Sequence, residues 1–370
     1  MKSMDICLIS DSNYAIYMAT TIVSILKNSN SDEIITFHII DGGILQTDKD
    51  KLISLKEIRN FNILFYTVDD NITNKYQEIV KIKTKIEYYT PAIFYVLELH
   101  NILKSLDKVL YLDCDIIVNR SLYELYNTDI NNYSMAVSDR PEREEYARIH
   151  FERIKLKDFD ISKHTYFNSG VLLINLKYWR ENSVSNLFLE YINNNDFIEL
   201  ADQEILNYVF VNNVKFMDYR YNFLCEKIAA IYYKDTENPY ICHYTNGLKS
   251  IKDYSYKEYN FLDEYWKYFL LTPYFKENPY QYINTIIYQK IKINERPNLN
   301  VSEIYQLNNK IDKLINTLAW FIPIRKWRDN FRNKFKIAEQ SRAEQSRAEQ
   351  SRAEQSRACI IFEYANKKAA

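Results

Sequence analysis

The N-terminal part of the chain alternates two hydrophobic periods, and this alternation most limits the folds open to it. Short apolar runs stand at 6–10 ("ICLIS"), 34–40 ("IITFHII") and 61–68 ("FNILFYTV"). Between the first two lies "YAIYMATTIVSILKN" (14–28), whose apolar residues recur at helical spacing behind Asp11, Ser12 and Asn13, residue types that close a strand and open a helix. A second, polar helix is expected near 47–60. Strand, helix, strand, helix, strand predicts a parallel sheet covered on both faces, because parallel neighbours need crossovers and the crossover helices bury the sheet.

Farther along, "TPAIFYVLELHNILKSL" (90–106) has Pro91 near its start and helical periodicity, and it leads into the strand "KVLYLDCDIIV" (108–118). Two more strands are expected in "YSMAVSD" (133–139) and "SGVLLINL" (169–176), separated by the charged stretch 140–158, a helical lid or inserted loop. "DQEILNYVFV" (202–211) is a helix with acids in its first turn, where the helix dipole favours them. At 370 residues and 47% hydrophobic content, the chain has material for one large α/β domain or two medium ones.

Bulk charge and cysteine usage exclude several function classes. A net charge of −1 argues against a globally basic nucleic-acid binder, so no nucleic-acid partner is expected. The five cysteines (Cys7, Cys114, Cys225, Cys242, Cys359) form no CxxC pair, which disfavours a disulfide framework or a zinc ribbon and fits a reducing compartment. The N-terminus reads as a first strand, not a leader, and no uncharged apolar run reaches the roughly 18 residues of a transmembrane helix. A cytoplasmic protein is expected, held peripherally at the inner face of the cytoplasmic membrane.

The membrane expectation comes from 318–337, "LAWFIPIRKWRDNFRNKFKI". There Trp327, Phe331 and Phe335 share a helical face while Arg325, Lys326, Arg328, Arg332, Lys334 and Lys336 lie mostly elsewhere, as in a helix lying in an anionic membrane surface. A C-terminal helix packed on the domain with a solvated basic side is the alternative. Residues 338–357 are four copies of "AEQSR"; a five-residue period advances about 140° per copy on a helix, so no apolar face forms and a solvated helix or disordered spacer is expected. The chain is therefore expected to divide into an N-terminal α/β domain (1–255), a C-terminal helical region (256–337) and a repeat tail (338–370).

The apolar run at 108–118 is broken by Asp113 and Asp115. In extended geometry both side chains point to one side and Cys114 to the other. At the end of a parallel strand they face the crevice where open α/β sheets bind ligands. Two carboxylates this close need a compensating cation or protons, and oxygen ligands favour a hard divalent ion, Mg²⁺ or Mn²⁺, which commonly also binds substrate phosphates.

The blocks around this pair, in order, are "ISDSNYAIYMATTIVSI", "LDKVLYLDCDIIVNRSLYELYNTDI", "YFNSGVLLINLKYWRE", "ADQEILNYVF" and "HYTNGLK". Together they resemble glycosyltransferase family 8, the retaining GT-A enzymes that include bacterial lipopolysaccharide galactosyl- and glucosyltransferases and glycogenin. The resemblance spans about residues 4–250. It implies a GT-A, Rossmann-like domain with a mixed, mostly parallel sheet, using UDP-galactose or UDP-glucose as donor and a lipopolysaccharide, lipooligosaccharide or other glycan or glycolipid as acceptor.

By the same resemblance, Asp113, Asp115 and His243 bind Mn²⁺, with Mg²⁺ as the alternative, and the Asp113–Cys114–Asp115 segment adjoins the nucleotide sugar. Asp11, Asn13 and Tyr14 line the uridine pocket, and Lys249 reaches the diphosphate. Asp139 and Asn168 touch the donor sugar. Asp202 and Gln203 lie near the anomeric carbon, Gln203 on its reacting face. These residue types suit the roles: a carboxylate accepts a ring N–H, a tyrosine ring stacks on a base, and a neutral amide oxygen stabilises a sugar cation without being a strong nucleophile.

Two positions depart from the family pattern. Val96 in "FYVL" stands where an Arg is usual, and "HYTNGLKSI" has Asn246 at the glycine position and lacks the usual Pro-Trp. A catalytically impaired nucleotide-sugar binder and a self-glucosylating protein of the glycogenin type, with an acceptor among 33 tyrosines, therefore remain alternatives. A nucleotidyltransferase would want a Gly-rich phosphate loop, and "ISDSNYA" has no glycine.

Overall fold

The β-branched runs near the N-terminus form three parallel strands, β1 (Lys2–Ser10), β2 (Glu33–Asp41) and β3 (Asn62–Thr67), in the register Ile6↔Phe37 and Phe37↔Ile63. The computed structural model that shows this describes residues 2–84, 89–138, 164–225, 238–245, 262–279 and 282, all within one compact unit. Helix α1 (Ala15–Asn28) crosses from β1 to β2; α2 (Gln46–Ser54) and a following 3₁₀ turn lead to β3; α3 (Asp70–Lys83) follows, its first turn capped by Asp69, which accepts from the Asn71 N–H.

Four further strands complete the main sheet: β4 (Lys108–Leu112), β6 (Met135–Ser138), β7 (Val171–Asn175) and β8 (Val214–Met217), giving the order β3-β2-β1-β4-β7-β6-β8. β4 is parallel to β1; β7 is antiparallel to both β4 and β6, and β6 is parallel to β8. The sheet is thus parallel except for β7. A three-stranded sheet stands beside it: β5 (Ile116–Val118), β10 (Ile241–His243) and β9 (Phe223–Leu224).

Two sequence expectations change here. The run 108–118 is not one strand but β4 and β5, which belong to different sheets, so the chain must turn between them at Asp113–Asp115. The expected helix at 90–106 is a 3₁₀ stretch, Pro91–Glu98, followed by the short α4 (Leu99–Ile102). Phe94, Tyr95, Val96, Leu97, Glu98 and Leu99 are all buried, so packing on every side, not an amphipathic period, sets that segment's geometry.

In the same core as the 3₁₀ stretch and α4, α6 (Leu176–Glu181), α7 (Val184–Asn194) and α8 (Ala201–Val209) follow the short α5 (Tyr123–Tyr126) in chain order. They pack around Trp179, which is fully buried, stacks on Phe210 at 5.3 Å and donates its indole N–H to the Ser134 carbonyl at 3.0 Å. Past residue 255, α9 (Leu262–Phe269) lies on α1: the Tyr265 hydroxyl donates to Thr20 Oγ1 (3.2 Å), and Asn28 Nδ2 donates to the Tyr268 hydroxyl (2.7 Å). A short α10 (Pro273–Glu277) comes next, capped by Thr272. Among the described residues no helix is long and apolar enough to cross a membrane. The stretch 140–158, the basic aromatic segment 318–337 and the repeat tail lie outside the described residues.

Candidate functional site

The sheet's crossovers run one way from β1 to β2 and β3 and the other way to β4, so a crevice opens at the C-terminal ends of β1 and β4. Asp11 follows β1 and Asp113 follows β4. The Asp113 N–H donates to the Gly170 carbonyl at 2.9 Å, extending the β4–β7 ladder by one bond before the chain turns through Cys114 and Asp115 into β5.

A buried polar face of α1 braces this turn. The Thr21 hydroxyl lies 2.7 Å from the Cys114 carbonyl and 2.8 Å from that of Ile116. Ser24 Oγ accepts from the Val118 N–H at 2.9 Å, and Asn28 Nδ2 donates to the Val118 carbonyl at 2.8 Å. Positions 21, 24 and 28 share one face at i, i+3, i+7. Thr21 and Ser24 are fully buried, and each hydroxyl answers backbone groups that the turn would otherwise leave unpaired.

From the opposite side, β10 pairs antiparallel with β5, placing His243 across from Ile116, and the Tyr244 N–H donates to the Asp115 carbonyl at 2.9 Å. His243 Nε2 thereby comes to 3.5 Å from Asp113 Oδ2 and 3.3 Å from Asp115 Oδ1. The expectation that both carboxylates share the side of an extended strand is replaced by a turn in which they converge on one imidazole. The Cys114 side chain is directed elsewhere: it is buried, its thiol donates to the Ile9 carbonyl at 3.3 Å, and burial pushes its pKa up, so it stays a thiol.

These three residues fit a divalent cation. Ligand atoms of Asp113, Asp115 and His243, two oxygens and a nitrogen, all lie within 4.8 Å of one another. Burial, followed by the nearby Asp115 charge, holds the Asp113 pKa above the ordinary carboxylate value, against the lowering influence of His243 and of the Tyr111 hydroxyl, which donates to Asp113 Oδ1 at 2.7 Å. A cation would remove that tension. The wall opposite is Gly170, where a Cβ would fall 2.8 Å from both Asp113 Oδ2 and His243 Nδ1 and still closer to His243 Cε1.

A chain of amides leads away from the histidine. Asn222 Oδ1 lies 2.8 Å from His243 Nδ1, and Asn222 Nδ2 donates to Asn168 Oδ1 at 2.9 Å. Asn168 Nδ2 donates to Gln203 Oε1 at 2.8 Å; the Ser169 N–H lies 3.2 Å from the same oxygen, and Gln203 Nε2 donates to the Tyr166 hydroxyl at 3.1 Å. Gln203 sits in the first turn of α8. Ala201, buried, opens that helix at φ +46°, a left-handed conformation that an L-side chain adopts only under constraint. The constraint is visible: Glu204 reaches back to accept from the Glu199 and Leu200 N–H groups at 2.9 and 3.2 Å and from the Tyr191 hydroxyl at 2.6 Å.

Asp202 lies beside this chain, nearly buried, with its pKa pushed up to about 7 by burial first and by the Asp113 charge second. A carboxyl whose folded pKa exceeds its unfolded one stabilises the fold fully at pH values below the unfolded pKa, near 3.8, and loses that contribution as pH rises through the folded pKa. Metal-free protein is therefore expected to lose stability between about pH 4 and 7, by up to about 4 kcal/mol from this group. Asp202→Asn should flatten that part of the curve. Melting temperatures of both proteins from pH 4.5 to 8 in chelator check this, and parallel curves would refute it.

The remaining sequence-derived residues divide. Asp11 closes the turn that leads into α1: its Oδ1 accepts from the Asn13 and Tyr14 N–H groups at 2.9 and 3.1 Å, and Asn13 Nδ2 lies 3.3 Å from its Oδ2. The structure thus brings Asp11, Asn13 and Tyr14 together at the end of β1, with the Tyr14 ring 5.2 Å from that of Tyr17. Val96 is buried in the apolar core. Asp139 and Lys249 lie outside the described residues. Asn222, Gly170, Tyr166 and the Thr21–Ser24–Asn28 face were not anticipated from sequence.

A mostly parallel doubly wound sheet with one reversed strand, and a two-carboxylate, one-imidazole cluster at its switch point, define an α/β protein of the GT-A type. The chain belongs to glycosyl transferase family 8, whose model matches residues 5–252. It is 33% identical over 223 residues to a putative glycosyltransferase of Haemophilus influenzae, covering 60% of this chain and 64% of that one. It is 30% identical over 217 residues to a lipopolysaccharide 1,2-glucosyltransferase of Escherichia coli, covering 57% and 60%. The chain thus spans less than two thirds of the length of these two relatives. Among solved structures, the galactosyltransferase LgtC in complex with donor and acceptor sugar analogs superposes with a TM-score of 0.60 at 25% identity, over 73% of this chain and 96% of that one.

Proposed function

We propose that the protein is a retaining hexosyltransferase that moves galactose or glucose from a UDP-sugar to a lipopolysaccharide, lipooligosaccharide or other glycan or glycolipid acceptor. The convergence of Asp113, Asp115 and His243 at the switch point carries this reading. A divalent ion held there, Mn²⁺ by preference, supplies positive charge to the diphosphate leaving group. In this reading Asp11 and Asn13 meet the uracil and ribose edge, Tyr14 gives a ring to stack against, Lys249 adds a second cation at the diphosphate, and Asp139 and Asn168 hold the sugar hydroxyls.

The hydrogen bonding of Gln203 favours front-face transfer over a covalent intermediate. Its amide oxygen already faces Asn168 Nδ2 and the Ser169 N–H, and a neutral oxygen with both lone pairs engaged is a poor nucleophile. In this proposal Gln203 and Asp202 steady the developing sugar cation while the acceptor attacks from the side the nucleotide leaves. A glycosyl adduct on the protein, found by mass spectrometry with a slow donor, would refute that step.

The basic aromatic segment 318–337 would hold the enzyme at the anionic inner surface of the cytoplasmic membrane, beside a lipid-linked acceptor. One experiment tests donor, metal and membrane together. Hydrolysis and transfer are measured over a panel of UDP-sugars with Mn²⁺, Mg²⁺ or chelator, using the acceptor in anionic vesicles and in detergent. The expected result is hexose-specific turnover that vanishes in chelator and is faster on vesicles. Turnover unaffected by chelator would refute the metal role, and equal rates on the two acceptor preparations would refute the membrane role.

A further inference from the structure

We propose that Asn222 is a positioning residue that couples the metal ligand His243 to Gln203, setting the imidazole tautomer with one end of its amide and bracing the Asn168–Gln203 pair in place with the other. This rests on the metal reading of the site. An amide side chain has one donor end and one acceptor end, so a row of amides has two possible directions, and a fixed donor anywhere along the row selects one.

Here two backbone N–H groups, which can only donate, make the selection. The Gly170 N–H donates to Asn168 Oδ1 at 2.9 Å, which fixes that atom as the oxygen. The Ser169 N–H faces Gln203 Oε1 at 3.2 Å, which fixes that atom as the oxygen and agrees with Asn168 Nδ2 donating to it. The end of Asn222 that faces Asn168 Oδ1 must then be its nitrogen, and the end that faces His243 Nδ1 must be its oxygen. His243 Nδ1 therefore carries a proton.

Two consequences follow, one at each end. A neutral imidazole protonated on Nδ1 presents its lone pair on Nε2, the nitrogen that lies 3.3 and 3.5 Å from the two carboxylates. At the far end, Asn168 is held with its donor toward Gln203, so the Gln203 oxygen is kept turned to Asn168 and Ser169. Asn222 and His243 are almost completely buried, and Asn222 sits in the turn just before β9, the parallel neighbour of β10. Water is thereby kept from substituting for the amide.

Two substitutions separate the two ends. Asn222→Leu removes both and should weaken Mn²⁺ binding by about 10–100-fold, the usual effect of losing the partner of a ligating histidine. Asn222→Asp keeps an acceptor for the Nδ1 proton but places an acceptor against Asn168 Oδ1. Asn168 cannot turn over to relieve this, because the Gly170 N–H holds its oxygen, so the two oxygens repel and Asn168 is pushed out of its place against Gln203. Mn²⁺ affinity should stay within about threefold of the parent while turnover falls by at least about tenfold with little change in KM for the donor.

The readouts are Mn²⁺ binding followed by the paramagnetic resonance of free ion, the imidazole tautomer from nitrogen NMR of the metal-free protein, and steady-state kinetics, each on variants whose thermal unfolding shows them folded. An Asn222→Leu protein that binds Mn²⁺ like the parent overturns the proposal. So does an Asn222→Asp protein that keeps both binding and turnover, or that loses the metal while folded, or a parent protein whose His243 carries its proton on Nε2. If Asn222→Leu does not fold, the near-isosteric Asn222→Asp still decides. A parent protein that binds no Mn²⁺ overturns the metal reading itself and the coupling with it, whereas a parent that binds with variants that do not differ from it overturns the coupling alone.

Discussion

Asp113→Asn and Asp115→Asn are each expected to lower turnover by at least about 10²-fold and to weaken Mn²⁺ binding to a similar degree, with the fold unharmed. The amide is close to isosteric with the carboxylate, so packing is kept; what disappears is one of two negative charges facing His243 Nε2, and the introduced NH₂ group has no place beside a cation. The effect on stability should run opposite to the effect on activity. Without metal, Asp113 is held above its ordinary pKa by burial and by Asp115, so replacing either acid removes a repulsion. Metal-free variants should therefore melt at or above the parent's temperature at pH 8. Activity that survives both substitutions would remove the metal from the mechanism, and a large loss of stability would assign the acids to the fold.

Much of the sheet was legible because its strands carry their own signal. β1, β2 and β3 are Ile-, Leu- and Phe-rich runs bounded by polar residues, α1 between the first two keeps a helical period and a polar helix separates the second from the third, so order and direction follow from local pattern. The reversed β7 was not legible. "VLLIN" is as apolar as any parallel strand, and its direction is set by the chain that precedes it, not by its own residues. Helix α3 was missed because its apolar content is thin and only Tyr76 is buried, although the Asp69–Asp70 pair marks its cap. The 3₁₀ stretch at Pro91–Glu98 is set by burial on all sides, a property of the assembled core.

In the site, the acid pair was legible as an interruption of an apolar run, but its turn was not, since nothing in "LDCDI" says that β4 and β5 join different sheets. His243 is sequence-distant and arrives by the pairing of β10 with β5. It was found by family resemblance, not by its own spacing. Asn222 and the Thr21–Ser24–Asn28 face are polar residues in otherwise apolar surroundings. The i, i+3, i+7 spacing of the latter was visible in α1 and would ordinarily be read as the solvated side of an amphipathic helix. Here that side is buried because the turn it supports has backbone groups to satisfy.

Gly170→Ala is expected to abolish detectable Mn²⁺ binding and to lower turnover by more than about 10²-fold, at a stability cost of about 1–3 kcal/mol. The added methyl would lie 2.8 Å from Asp113 Oδ2 and from His243 Nδ1, with His243 Cε1 nearer still. Asp113 could swing aside, but the imidazole cannot: it is 2% exposed, hydrogen-bonded through Nδ1 to Asn222, and anchored in β10 between β5 and β9. Relief must come from moving a ligand, and a ligand moved by a few tenths of an ångström no longer shares a cation with the other two. The control is Gly43→Ala. Gly43 holds φ +113° with nothing within 4 Å of an added Cβ, so that substitution strains the backbone, costing about 1–3 kcal/mol, without touching the cluster. Equal stability losses with metal binding lost only in Gly170→Ala would tie the effect to space at the cluster; Mn²⁺ affinity retained in Gly170→Ala would mean that the cation, if it binds, does not use His243 and Asp113 together.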